Sequence, residues 1–336
     1  MATSLAQQLG NLAATSSGAR NQGNKAAIAS LVFATSAEAA QADLDTDGYF
    51  ALGVSGLAGL SAAGPSGSSS SSFEAFATTL FSDALKRTDR MLLNPDEAAS
   101  LDRLVERFLA CVSPLFLHPA AFKALEWLVH RFHIHEHNSA QLLRAALPFH
   151  DSWQFVRVVR ILALTPSPTS ASPSMLGTSW AWIKQPIALD RASLVRRAVN
   201  DKAMLGFVCE MIDKLLLPDA SNAALCSFFS AFMVDYLNAA KISDNAMRII
   251  MPCLFAMAST SIPNVQSTSY IILAHLSNKV PFSQNVIVAM IDLIVSFAKP
   301  DLAKFAVCCL ISLYDSQDSC PNISIKSLES ILGDNS

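Results

Sequence analysis

The sequence predicts an all-α protein, an α-solenoid built from stacked helix pairs. Three observations predict it. From Phe73 onward, apolar residues recur at helical spacing between breaks made of Pro, Asn and Ser. The later helices recur at a period of about 40 residues. Finally, 51% of the 336 residues are apolar and only 15% are charged, which suits short helices buried on several sides. The mean hydropathy of +0.35 raises the question of membrane spans. The longest late uncharged run, residues 249–278, is broken by Pro252 and Pro263 and carries Asn264 and Gln266. A spanning helix needs about 20 continuous apolar residues, so the run reads as two packed helices.

Residues 1–33 read as N-terminal helices, the first with Leu5, Leu9 and Leu12 on one face. Gln7, Gln8 and Asn11 rule out a secretory apolar core. The stretch before Glu38 lacks acids and is rich in Ala and Ser, as in transit peptides, but its arginine density is low for that class. Residues 34–72 read as a variable flexible loop, because Ala, Gly and Ser dominate and the stretch ends in Gly64-Pro65-Ser66-Gly67 and five serines.

Residues 73–164 form the first helical block. Asn94 caps a helix with Pro95 at its first position and Glu97 at its third, where a carboxylate meets free N–H groups. Leu101, Leu104, Val105 and Phe108 then hold helical spacing until Ser113-Pro114. The next helix runs from Pro119 to Phe132. Asn138 with Gln141 resembles a capping box for a short helix ending at Pro148, and Asp151 with Gln154 starts another. Residues 165–188 read as a Pro/Ser linker, with Pro166, Pro168 and Pro173. Beyond it, helices are expected at about 203–217, 221–240, 243–258, 264–277, 283–297 and 300–314, with another starting at Ile325. First helices near 203, 243 and 283 give the spacing of HEAT and armadillo repeats. Residues 189–336 are therefore HEAT-like repeats, expected to continue in a longer protein because no polar capping helix closes the array.

The formal net charge of −3 argues against a nucleic-acid binder that uses its whole surface. Seven cysteines stand without a C-x-x-C pair, mostly inside apolar helical patterns, which favours a reducing compartment. Only Gly177, Gly206 and Gly333 follow residue 67, so the helical part has no Gly-rich phosphate loop. G-x-S-x-G, H-E-x-x-H and Walker patterns are absent, and no cofactor or small-molecule substrate is expected. Cys111 with His118 is a conceivable nucleophile–base pair, but a joint cysteine near a surface histidine is the commoner reading.

Six of the seven histidines fall between His118 and His150. Were the helix to continue through Asn138, Lys123, Glu126, His130, His133 and His137 would share a polar face. Three imidazoles there could hold zinc. The reading preferred is a solvated face, since Phe132 and Asn138 suggest that the helix ends between them. Trp127 and Arg131 lie one turn apart and could offer a stacking platform, although a packing tryptophan is favoured. Arg157 and Arg160 face one way and, with Arg144, could form a basic edge, against the plainer reading of solvated arginines. The candidate partner or RNA surface is thus Lys123, Trp127, His130, Arg131, His133, His135, Arg144, Arg157 and Arg160.

The block Lys123 to Asn138, KALEWLVHRFHIHEHN, resembles a signature of the large HEAT-repeat proteins of the small-subunit processome. That family comprises U-three small nucleolar RNA-associated protein ten and HEAT-repeat-containing protein one. Thr3-Ser4-Leu5-Ala6-Gln7-Gln8-Leu9, Phe76 to Arg90, and Leu147-Pro148-Phe149-His150 with Phe155-Val156-Arg157 are similar to it too, so the resemblance covers residues 1–165 and the N-terminal region of the family. His130 and His133 stand where the family pattern has arginines. The resemblance implies a nucleolar, non-catalytic scaffold of the UtpA (t-UTP) subcomplex. Its partners would be other UtpA subunits, β-propeller proteins among them, and the 5′ external transcribed spacer of pre-ribosomal RNA. The role implied is 18S RNA maturation and support of ribosomal DNA transcription. The rivals are a direct RNA-binding module and an unrelated HEAT/armadillo transport adaptor.

Overall fold

A computed structural model describes residues 30–33, 44–64, 69–162, 178–183, 189–216, 222–318 and 320–332. The expected N-terminal helices before residue 30 and most of the Pro/Ser linker lie outside these residues. Every regular element among the described residues is helical.

The first departure from expectation comes at once. The stretch expected to be a loop, 34–72, contains α1 (Thr46–Ala63), and α2 (Ser69–Ala77) begins within the serine run. Asp45 caps α1, its side chain accepting from the Gly48 amide. A third short helix, α3 (Asp83–Arg87), follows. Asn94 then opens α4 (Pro95–Val112) with a full capping box: Asn94 Oδ1 accepts from the Glu97 amide at 2.8 Å, and the Glu97 carboxylate accepts from the Asn94 amide at 3.1 Å.

Helix α5 (Pro119–Phe132) has the bounds expected from the sequence and lies almost wholly in the core. It ends because His133 adopts the left-handed conformation, φ 49° and ψ 43°. A single turn, α6 (Ile134–His137), leads into α7 (Ser139–Ala146). The capping box expected at Asn138 does not form: Asn138 makes no side-chain cap, its Oδ1 facing Arg90, while Gln141 donates to Glu106. Ser152, not Asp151, caps α8 (Trp153–Ile161), accepting from the Phe155 amide at 3.2 Å.

Part of the expected linker is core. A 3-10 turn at Thr178–Ile183 buries Trp180 against Phe207, ring centroids 4.7 Å apart. Beyond it the helices are α9 (Arg191–Asn200), α10 (Lys202–Leu215), α11 (Ala223–Ala239), α12 (Asp244–Ala258), α13 (Pro263–Ser277), α14 (Gln284–Phe297), α15 (Ala303–Ser316) and α16 (Ile325–Leu332). From α10 onward these bounds fall within about three residues of the periodicity reading, while α9 was not foreseen.

Two layers result. Helices α9, α11, α13 and α15 pack in succession along one side, and α10, α12, α14 and α16 along the other. Neighbours in the first layer bury α11 deeply through Phe228, Phe229, Phe232, Met233 and Tyr236. This is the stacking that a single amphipathic pair cannot supply for itself. The two sequence blocks form one continuous stack. Asn222 donates to the buried Ser113 hydroxyl at 3.0 Å, the Leu189 amide donates to the His150 carbonyl at 2.9 Å, and α10 packs on α4 and α7. No described helix is long and apolar enough to cross a membrane.

Candidate partner-binding surface

The tryptophan–histidine block is mainly a structural joint. Trp127 is 1% exposed, and its indole N–H donates to the Leu80 carbonyl at 3.1 Å. It is therefore no stacking platform for a base or a partner. Arg131 turns to the carbonyls of Leu85 and Thr88 and fixes the end of α3. Lys123 is half-buried on α5. His130 stacks on Tyr49 of α1, centroids 3.8 Å apart, and its Nε2 meets the Glu126 carboxylate at 3.2 Å. Burial, then the Glu126 charge, raises the Tyr49 phenol.

Glu126 is wholly buried, and sequence reasoning placed it on a polar face. Its carboxylate accepts from the Ser30 hydroxyl at 2.5 Å, the Leu31 amide at 2.7 Å and the Val32 amide at 3.3 Å. Arg157 grips the same segment from the opposite polarity, donating to the carbonyls of Leu31 and Val32 at 2.8 and 2.9 Å. Residues 30–33 are thus held by a buried acid and an arginine about 95 and 125 positions away in sequence.

The three-imidazole face of His130, His133 and His137 does not form, because the helix stops at His133. His135 is buried, and burial pushes its imidazole down to about 4. The expected basic edge is divided too. Arg144 is 7% exposed, lies over the Phe207 ring at 4.6 Å and pairs with Glu210 at 2.9 Å, so it joins α7 to α10. Arg160 stays exposed. Of the Cys111–His118 pair, burial pushes the thiol up to about 11, away from the thiolate form, and His118 Nδ1 accepts from the Ala120 amide as the cap of α5.

Two surface features were missed by sequence reasoning. Trp153, at the start of α8, is 58% exposed, with the Arg157 guanidinium 4.5 Å from its ring centre. With Arg160 it forms a stripe at i, i+4 and i+7, a spacing readable in the sequence. The second is a groove of about 720 Å³ between α10 and α12, lined by Gly206, Glu210, Asp213, Arg248, Pro252 and Cys253. Pro252 lies inside α12. Only glycine at 206 could have hinted at the opening, since a Cβ there would meet nothing within 4 Å.

A two-layer stack of helix pairs, α9–α16, joined to the first helical block defines an α-solenoid. A family model described as U3 small nucleolar RNA-associated protein 10 matches residues 246–335, outside the stretch where the sequence resemblance was read. The chain is 32% identical to human HEAT repeat-containing protein 1 over 94% of its own length. It is 29% identical to U3 small nucleolar RNA-associated protein 10 of Yarrowia lipolytica over 94% of its length, and 26% identical to the Drosophila melanogaster HEAT repeat-containing protein 1 homologue over 99%. The chain belongs to this family. It spans 14% of the human relative and 18% of the Yarrowia relative.

Proposed function

We propose that this chain is a non-catalytic scaffold segment of the small-subunit processome, acting in the nucleolus as part of a UtpA-like assembly. The observation that carries it is the two-layer stack of α9–α16, joined to the first block through α10 on α4 and α7, which offers partners an extended side surface. The relatives named for U3 small nucleolar RNA association support the setting. The groove between α10 and α12, bordered by Glu210, Asp213 and Arg248, suits an extended protein segment with mixed polar and apolar side chains. Partners on this reading are other UtpA subunits, including β-propeller proteins, and the outcome is support of pre-ribosomal RNA processing and of ribosomal DNA transcription. A pulldown with the purified chain from nucleolar extract, with and without ribonuclease, tests it. Processome proteins are expected to remain after ribonuclease. Recovery of none would sink the proposal.

A second reading is direct contact with the 5′ external transcribed spacer, favoured by the exposed Trp153 and Arg160 with the half-buried Arg157 between them. A tryptophan face flanked by guanidinium groups stacks an unpaired base and meets its phosphate. Salt-dependent binding of spacer RNA that falls in both Trp153→Ala and Arg160→Ala would support it. Arg157 is a poor probe, because its loss also frees residues 31 and 32.

A further inference from the structure

The run His133-Ile134-His135-Glu136-His137 does more than end a helix. In a regular helix, residues two apart point to nearly opposite sides. The left-handed turn at His133 cancels this, because α6 leaves in a new direction. One ligand-capable atom each from His133, His135 and Glu136 then lies within 4.8 Å of the others. The two imidazole centroids are 5.9 Å apart, and His135 Nε2 stands 3.5 Å from a Glu136 oxygen, longer than a good hydrogen bond.

His135 supplies a second, independent observation. It is 6% exposed, and its Nδ1 has no hydrogen-bond partner. A buried polar nitrogen left unpaired is costly and calls for an explanation. Ion pairing with Glu136 does not provide one, since the carboxylate faces the other ring nitrogen, Nε2, at 3.5 Å. A solvated histidine face does not either, because the ring is inside the protein.

We propose that His133, His135 and Glu136 form a binding site for a zinc-like divalent cation at the joint between α5 and α6. Two neutral imidazoles and a carboxylate are the donor set that borderline metals take, with a fourth position left for water. Glu136 is exposed, so the cation enters from solvent. Closing on it needs a modest contraction, because ligands of a tetrahedral zinc sit about 3.4 Å apart. The bound ion would pin the left-handed joint that α5 and α7 share.

The test uses the 336-residue chain, free of any histidine tag, stripped with chelator and titrated with zinc chloride by calorimetry. One equivalent is expected to bind. His133→Asn, which keeps a residue tolerant of positive φ, and Glu136→Gln on the surface are each expected to weaken binding by about tenfold or more. His275→Gln on α13 is expected to leave it unchanged. Circular dichroism melting of each variant separates ligand loss from misfolding. No saturable binding by the parent chain, affinity unchanged in either site variant, or equal loss in His275→Gln would overturn the proposal.

Discussion

At the scale of single residues, the acid at position 126 carries the largest consequence. Its carboxylate collects three donors from Ser30, Leu31 and Val32 in a site closed to water. Glu126→Gln would turn an amide NH2 toward groups that themselves donate, leaving at least one buried donor unmatched. A loss of about 1–3 kcal/mol is expected, together with faster hydrogen exchange at the Leu31 and Val32 amides. An unchanged urea midpoint with unchanged exchange would show that the acid does not hold the segment. Little of this was legible. Glu126 falls on what looks like a polar stripe, and its donors lie about 95 positions away, beyond any local pattern. Trp127 shows the reverse difficulty. Composition alone cannot tell a packing tryptophan from a platform, and only the Leu80 carbonyl waiting for its N–H decides the matter.

Elements with their own strong periodicity and caps were readable: α4, α5 and the helices from α10 onward follow from apolar spacing and from residues such as Asn94 and Pro119. Helix α1 was not, because its glycines read as loop. Their reason is contact. A Cβ at Gly56 would stand 2.5 Å from the Ala124 amide nitrogen and 2.7 Å from the Ala120 carbonyl oxygen, so α1 crosses α5 backbone to backbone. The same substitution should therefore have opposite signs at two glycines. Gly56→Ala is expected to destabilise by about 1–3 kcal/mol, although alanine is the better helix former by about 1 kcal/mol. Gly206→Ala, facing the open groove in mid-helix, is expected to stabilise by about 0.5–1 kcal/mol. Urea midpoints at constant slope measure both. Equal signs would mean that the α1–α5 crossing relaxes freely or that the groove is closed.

For the whole molecule, the period near 40 residues made the stack legible, but the coupling between its two blocks was not. Arg144 and Glu210 are 66 positions apart, and Asn222 and Ser113 are 109 apart. Trp180 and Ile183, buried at the junction, sit in a stretch whose prolines and serines read as linker. Repeat stacks unfold as a unit only while their interfaces outweigh the weakness of single repeats. All four tryptophans lie at or before position 182, so their fluorescence reports the first block and the junction, whereas far-ultraviolet circular dichroism reports every helix. The two signals should share one transition in the parent chain. Arg144→Ala removes a guanidinium packed over Phe207. Its partner Glu210 keeps a side chain 64% exposed and stays hydrated, so the loss is one of packing, about 1–2 kcal/mol. Combined with Asn222→Ala, which strips the Ser113 hydroxyl of its partner and α11 of its cap, it should separate the transitions, one signal moving ahead of the other. If fluorescence and dichroism remain superimposed in the double variant, the blocks are coupled through the apolar contact of α10 with α4 and α7, and these polar bridges only register it.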